Sequence, residues 1–210
     1  MNELLEKYLS SHIDPEPEML QQLNRDTQVN LLNGRMVSGH YQGRLMVMLC
    51  RMIRPKRVLE LGTFTGYSAL CFAEGMDPDA ELHTIEHNDE LEDIARKWFS
   101  QSEYGSRINL HIGDALELIP QMDGLFDLVF IDADKRQYLE YYEAVFPKVK
   151  SGGFILADNT LWNGKVLRKI APNDAQSLAV SKFNDYIAND SRIEKILLPI
   201  RDGLTIIYKK

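Results

Sequence analysis

Short apolar runs recur from residue 57 to the end of the chain, and between them the apolar positions fall at helical spacing. The runs are too short for helices and rich in Val, Ile, Leu and Phe, so they read as buried strands. The 3.6-residue period between them reads as helix. This predicts strands at Arg57–Leu61, Glu81–Ile85, Ile108–Ile112, Phe126–Ile131 and Gly153–Ala157, and helices at Thr65–Glu74, Asp89–Phe99, Ala115–Ile119, Gln137–Val149 and Asp174–Ala188. Two further runs, Ile193–Pro199 and Leu204–Tyr208, flank the turn signal Arg201-Asp202-Gly203 and read as a hairpin. Residues 1–54 carry helical patterns only. Asp14-Pro15-Glu16-Pro17 punctuates them and starts a second helix, and Leu45–Cys50 reads as a buried helical run ending before Pro55. Alternating strands and helices predict a doubly wound α/β fold. Its seven-stranded, mostly parallel sheet carries helices on both faces, with N-terminal helices and an antiparallel C-terminal hairpin at one edge.

Composition fits such a fold. The 210 residues are 44% apolar and 26% charged, enough for one domain with a sizeable core. One domain is expected over residues 1–210, with 1–54 as a helical segment and 55–210 as the α/β core. The formal net charge of −7 argues against a general nucleic-acid or membrane binder, since both attract basic surfaces. Cys50 and Cys71 sit in apolar, helix-like stretches and read as buried thiols, not as a disulfide or a CxxC metal site. Met1–Lys7 is acidic and amphipathic, without the basic and then apolar regions of a signal peptide. No apolar run approaches the roughly 20 residues of a membrane span. A cytoplasmic protein is the expectation.

In doubly wound sheets ligands sit beyond the carboxyl ends of the strands, near the switch in strand order. The residues there are Glu60-Leu61-Gly62, Glu86, Gly113-Asp114, Asp132-Ala133-Asp134-Lys135 and Asp158-Asn159. Each of these strand ends carries an acid, more polarity than turns alone need. In the first, Gly62 and Gly66 permit a tight turn and close backbone approach. The pattern is E-x-G-x-x-x-G, and Phe64 stands where dinucleotide sites carry the glycine that admits a pyrophosphate. A ligand with a nucleoside but no phosphate fits better; the alternative is a purely structural turn. Glu86 lies 24 residues after Gly62, near the spacing at which an acid binds ribose hydroxyls. Its other reading is a solvated acid at a helix start. Asp114 could meet an adenine amino group or cap the helix that begins at Ala115.

The second cluster differs in kind. Asp132 ends the most apolar strand and so belongs at the centre of the sheet. If the strand ending in Asp158-Asn159 is its neighbour, their ends lie roughly 5 Å apart, and two carboxylates and an amide oxygen converge. That all-oxygen set suits a hard divalent cation, Mg²⁺ first, with Ca²⁺ or Mn²⁺ as alternatives; the His and Cys of a zinc site are missing from it. Singly, each residue also reads as a turn or a cap. Lys135 stands beside the cluster. A lysine near a cation or partly buried can titrate downward and act as general base; the alternative is a solvated surface lysine.

Four segments carry a family resemblance: Val58-Leu59-Glu60-Leu61-Gly62-Thr63-Phe64-Thr65-Gly66-Tyr67-Ser68, Phe130-Ile131-Asp132-Ala133-Asp134-Lys135, Asp158-Asn159-Thr160-Leu161-Trp162-Asn163-Gly164 and Leu198-Pro199-Ile200-Arg201-Asp202-Gly203-Leu204. In order and spacing, from about Met36 on, the chain resembles the small metal-dependent O-methyltransferases that include catechol and caffeoyl-coenzyme A O-methyltransferases, the bacterial members most of all. The resemblance implies a Rossmann-like fold, S-adenosylmethionine as methyl donor, a divalent cation, a small vicinally hydroxylated aromatic acceptor and a homodimer formed through the N-terminal helices. It implies that Glu60, Gly62, Thr63 and Ser68 line the methionine end of the donor, and that Met36 and Ser38 cover it. Glu86 would hold the ribose, and Asp114 with Ala115 the adenine. Asp132, Asp158 and Asn159 would bind the metal, with Asp132 also beside the donor. Lys135 would be the base, and Trp162 a wall of the acceptor pocket or an ordinary packed aromatic. The chain departs from the family at His87, where an apolar residue often meets adenine, and over Met36–Gly43, which matches only in part.

A neutral phenol is a poor nucleophile near pH 7. Coordination of adjacent oxygens lowers its pKa, and positioning supplies much of the rest. Two other readings stand beside this one. Lys165, Arg168 and Lys169 could serve methylation of a hydroxylated nucleoside in RNA, against the acidic total. A non-catalytic nucleotide module or an NAD-dependent oxidoreductase is opposed by the missing G-x-G-x-x-G and G-x-x-x-x-G-K-[ST] patterns.

Overall fold

The computed structural model describes residues 3–210; Met1 and Asn2 of the acidic N-terminal stretch lie outside the described residues. In chain order the helices are α1 (Glu3–Ser10), α2 (Glu18–Asn30), α3 (Gly39–Ile53), α4 (Tyr67–Gly75), α5 (Glu92–Gln101), α6 (Ala115–Leu118), α7 (Tyr138–Val145) and α8 (Ala175–Ala188). The strands are β1 (Arg57–Leu61), β2 (Glu81–Glu86), β3 (Ile108–Ile112), β4 (Phe126–Ile131), β5 (Val149–Asp158), β6 (Ile193–Leu198) and β7 (Leu204–Lys209). They form a seven-stranded sheet in the order β3-β2-β1-β4-β5-β7-β6. The β2–β3, β1–β4 and β4–β5 pairs are parallel, and β7 runs antiparallel to both β5 and β6. This is the doubly wound sheet with a C-terminal hairpin that the pattern predicts. The hairpin returns β7 against β5 and leaves β6 at the edge, where exposed Glu194 and Lys195 discourage further pairing. Strand order reverses between β1 and β4, so a switch point falls there.

Residue contacts group into two units. The first comprises the described residues up to Lys56 together with Thr63–Ile112. Here α3 packs on α4, with an Arg44–Glu74 ion pair at 2.6 Å between them. The run Leu45–Cys50 is not uniformly buried as expected: Met46, Val47 and Cys50 face inward, and Met48 is 40% exposed, because helical rotation turns it to the far side. α3 stops at Arg54, which adopts a left-handed φ of 53°; the following Pro55 disfavours the right-handed helical conformation at that residue. From α2, the buried Thr27 reaches Thr65 with its hydroxyl, Oγ1 to Oγ1 3.1 Å.

The second unit comprises Arg57–Gly62 and Gly113–Lys210. Val58, Leu59 and Leu61 of β1 and Leu128–Ile131 of β4 are wholly buried, the near-continuous apolar run that a parallel strand covered on both faces requires. Tyr138 and Tyr142 of α7 meet Phe183 of α8 edge-on, at centroid distances of 5.6 and 6.0 Å. Such contacts add about 0.5–1.5 kcal/mol each beyond simple burial. The helix expected over Gln137–Val149 is shorter. It ends at Val145 because Pro147 cannot continue the backbone ladder. β5 accordingly starts at Val149, not Gly153. Between the pairs Phe126–Val149 and Leu128–Phe154 its register shifts, so the Gly152-Gly153 pair sits in an irregularity of the strand rather than before it.

Cys50 and Cys71 are buried, and no disulfide occurs among the described residues. No helix among them is long and apolar enough to cross a membrane.

Candidate active site

In the second unit, β1 ends in a turn that its own sheet neighbour shapes. Glu60 is fully buried in β1, in register with Phe130 of β4. Asp132 N–H donates to the Leu61 carbonyl at 2.9 Å. Gly62 follows with φ of +99°, and a Cβ there would lie 2.1 Å from the Asp132 carbonyl oxygen. Only glycine permits both that φ and that approach.

In the first unit, Thr63 N–H donates to the Ile85 carbonyl at 3.3 Å, and its hydroxyl meets that of Thr84 at 2.6 Å. Phe64 holds a positive φ of 51°, a conformation that needs support from its surroundings. Glu86 supplies it: Oε2 accepts the Phe64 N–H at 2.7 Å and Oε1 accepts the Asn88 N–H at 2.9 Å. Glu86 closes β2 and is half-buried. Two backbone bonds leave room on a carboxylate that can accept about four, so its capacity to take ribose hydroxyls remains. Ser68 is buried in the first turn of α4, and Ser38 is buried just before α3, whereas Met36 and His87 are exposed.

Asp114, in the second unit, accepts the Leu116 N–H at 2.8 Å and caps α6. Ala115 is buried beside it. The capping bond engages Oδ1, which leaves Oδ2 for a ligand.

The second cluster is built at the ends of β4 and β5. Ile131 is in register with Ala157, so Asp132 and Asp158 come next along adjacent parallel strands. Asp158 is 3% exposed, and its Oδ1 accepts the Asn159 N–H at 2.9 Å. Asn159 takes a left-handed φ of 57°, which asparagine tolerates better than most residues. Lys135 is buried, not a solvated surface lysine. Its Nζ donates to Asp132 Oδ1 at 2.7 Å and to the Tyr138 hydroxyl at 2.5 Å. Burial, reinforced by the negative charges of Asp132 and Asp158, holds the Tyr138 phenol well above its usual pKa, so it remains a neutral hydroxyl.

Asp132, Asp158 and Asn159 offer two carboxylates and an amide oxygen, the donor set of a hard divalent cation, and the β4–β5 register brings their backbones to one level. The residues fit such an ion, with the Asp132 carboxylate shared with Lys135. No group of three or more His, Cys, Asp or Glu suited to a metal occurs among the described residues.

The segment after β5 is braced by the β6–β7 turn. Thr160 N–H donates to the Gly203 carbonyl at 3.0 Å and Leu161 N–H to the Asp202 carbonyl at 2.8 Å. The Asp202 carboxylate accepts the Asn163 N–H, and burial raises its pKa above the usual carboxylate value. Trp162 and Asn163 carry positive φ of 47° and 53°, and the buried Trp162 indole N–H finds no hydrogen-bond partner among the described residues. Of the basic cluster Lys165, Arg168 and Lys169, Lys165 is paired with Asp174 at 2.9 Å. Sequence reasoning assigned no role to Tyr138 or Asp202. Tyr138 is one helical turn from Lys135, a spacing that could have suggested contact; Asp202 lies within the segment Leu198-Pro199-Ile200-Arg201-Asp202-Gly203-Leu204.

This topology is that of the Rossmann-like methyltransferases. The SAH-bound methyltransferase PaMTH1 of Podospora anserina superposes with a TM-score of 0.92 at 30% identity, over 100% of this chain and 97% of that one. TomG of Streptomyces achromogenes, an O-methyltransferase of tomaymycin synthesis in complex with SAM, gives 0.87 at 28% identity, over 99% and 96%. Caffeoyl-CoA O-methyltransferase 1 of Eucalyptus globulus is 33% identical over 217 residues, covering 97% of this chain and 87% of the relative. A family model described as O-methyltransferase matches residues 9–210. The chain belongs to this O-methyltransferase family, enzymes that transfer a methyl group from S-adenosylmethionine to oxygen.

Proposed function

We propose that this enzyme methylates a hydroxyl of a small, catechol-like aromatic acceptor bearing adjacent oxygens, with S-adenosylmethionine as donor and a divalent cation, Mg²⁺ first, as helper. The observation that carries the reading is Lys135: a buried amine, bonded to Asp132, at the strand end in register with Asp158.

The donor's methionine end is assigned to Glu60, Gly62, Thr63 and Ser68, with Met36 and Ser38 over it. Its ribose goes to Glu86, and its adenine to Asp114, Ala115 and His87. Asp132, Asp158 and Asn159 would hold the cation. When bound, the cation supplies Lewis acidity toward the acceptor's adjacent oxygens. In the reaction a bond forms between acceptor oxygen and methyl carbon while the carbon–sulfur bond breaks, its electron pair returning to sulfur. The hydroxyl proton passes to Lys135 Nζ, a general-base contribution of about 10²–10⁴-fold. Trp162 walls the acceptor and excludes water. The acidic residues balance the positive sulfonium. A homodimer through the N-terminal helices belongs to the same reading, and sedimentation velocity tests it.

The purified protein, given S-adenosylmethionine with catechol or caffeoyl-CoA, should transfer methyl in Mg²⁺ and stop in EDTA. Asp158→Ala should be inactive in either. Full activity in chelator would sink the metal role, and methylation of tRNA without methylation of either phenol would replace the acceptor class.

A further inference from the structure

Lys135 has a fixed neighbour that the reaction as described does not use. Tyr138 is wholly buried one turn along the chain, and its ring is clamped edge-on by Phe183. Its hydroxyl lies 2.9 Å from the Asp158 carbonyl and 3.3 Å from that of Ile131. Carbonyl oxygens only accept, so the phenol's single proton is directed at the ends of β4 and β5. What Tyr138 then presents to Lys135, 2.5 Å away, is a lone pair. The Lys135 nitrogen donates there.

The same nitrogen also donates to Asp132 Oδ1 at 2.7 Å. A lysine nitrogen is tetrahedral. One position is the bond to Cε, and two hydrogens are committed to Asp132 and Tyr138. A single position remains, holding a third hydrogen in the ammonium and the lone pair in the amine. Asp132, as a carboxylate, only accepts, and Tyr138 accepts as well while its proton is held by the Asp158 or Ile131 carbonyl, so the remaining position faces neither of them. With the Tyr138 hydroxyl absent, Asp132 alone would fix one hydrogen, and the lone pair could rotate between two positions.

We propose that Tyr138 is the positioning residue for the base: its hydroxyl locks the Lys135 amine so that one valence, in one direction, is left for the acceptor's proton. This rests on the reading of Lys135 as the base. It also registers the amine to the backbone of the two strands whose ends carry Asp132 and Asp158. Orientation of this kind is where enzymes gain rate without gaining affinity.

The test is a double-mutant cycle of Tyr138→Phe and Lys135→Met, assayed with catechol and S-adenosylmethionine in Mg²⁺ buffer, with thermal unfolding of each variant. Ile187→Ala, at a buried position farther along α8, serves as a packing control that keeps Lys135, Tyr138 and Phe183. Tyr138→Phe should lower kcat roughly 10- to 100-fold, with both KM values within about 2-fold of the parent. In the Lys135→Met background it should lower kcat no further. Ile187→Ala should lower the unfolding temperature by at least as much as Tyr138→Phe while keeping kcat. If Tyr138→Phe slows the Lys135→Met enzyme by the same factor as the parent, or leaves the parent's kcat intact, the positioning role is overturned and the base survives. An Ile187→Ala enzyme as slow as Tyr138→Phe also overturns it, since loss of stability alone then explains the slowing. Unchanged kcat in Lys135→Met removes the base assignment itself, and the proposal with it.

Discussion

Replacing Gly62 by alanine asks whether the donor turn is held by backbone contact. At this φ of +99° the new Cβ would stand 2.1 Å from the Asp132 carbonyl oxygen and 2.9 Å from its carbon. Real Cβ contacts stay beyond 3.0 Å, so turn or strand end must shift by about 0.9 Å or more. No side-chain rotation relieves this. The obstructing atoms belong to the peptide after β4, which is itself tied to the Leu61 carbonyl at 2.9 Å. Two penalties add: about 1–2 kcal/mol for a left-handed non-glycine residue and about 1–3 kcal/mol for overpacking. At roughly 2–4 °C per kcal/mol in a chain of this size, the unfolding temperature should fall by roughly 4–20 °C. Gly152→Ala isolates the first penalty, because its φ is also positive, +83°, but the nearest atom is Tyr208 Oη at 3.9 Å. It should lose only about 1–2 kcal/mol and stay fully active. A displacement near 1 Å beside Asp132 should also cost Gly62→Ala on the order of 10²-fold in kcat/KM. Urea unfolding and initial rates on both variants decide the matter. A Gly62→Ala protein as stable as Gly152→Ala, or as active, refutes the reasoning.

Asp202→Ala removes the acceptor of the Asn163 N–H and should raise the acceptor KM about 10-fold, the worth of a charge-assisted hydrogen bond, without moving the donor KM; Asp202→Asn, which keeps an oxygen, should restore it, and equal KM values in both variants would count against the brace. His111 lies 3.0 Å from His83 (Nε2 to Nδ1), and burial first, then His83, lowers its pKa below 6.5. The unfolded chain therefore binds the proton more readily, so this contribution to stability is complete above about pH 6.5 and is lost as pH falls below it. The midpoint of urea unfolding should drop less between pH 7.5 and 5.5 in His111→Asn than in the parent, and parallel slopes would reject the coupling. Thr65→Val removes the Thr27–Thr65 contact and should cost about 1 kcal/mol by urea unfolding; no loss would show that α2 does not fasten the turn.

β1, β3 and β4 could be read to the residue from sequence because each run is short and stops at a glycine or an acid, Gly62, Gly113 and Asp132. α7 and β5 could not. Tyr138, Tyr141, Tyr142, Val145 and Val149 keep the helical rhythm across Pro147, where the backbone cannot follow. Gly152-Gly153 look like a turn but sit within β5. The strand-end acids were legible because chemistry-bearing residues collect there in doubly wound sheets. Tyr138 was hidden by its own spacing, which is that of a core aromatic; Glu86 was legible as a strand-end acid, but its bracing of the turn was not, because its partners are backbone amides of Phe64 and Asn88. Side-chain identity carries no record of such bonds.

Those bonds divide the acids by task. Glu86 is held by two backbone amides, Asp114 caps α6, Asp158 accepts the amide of Asn159, and Asp202 accepts that of Asn163. A peptide N–H does not titrate in this range, so these carboxylates are oriented before any ligand arrives, and little ordering remains to oppose binding. Asp132 is engaged differently, through the amine of Lys135. An amine, unlike an amide, can gain and lose a proton. An acid tied to an amide can orient a ligand; an acid tied to an amine can also take part in moving a proton. In the proposed reaction this makes Lys135, beside Asp132, the place where the acceptor's proton goes, with Asp132 also a ligand of the cation beside Asp158.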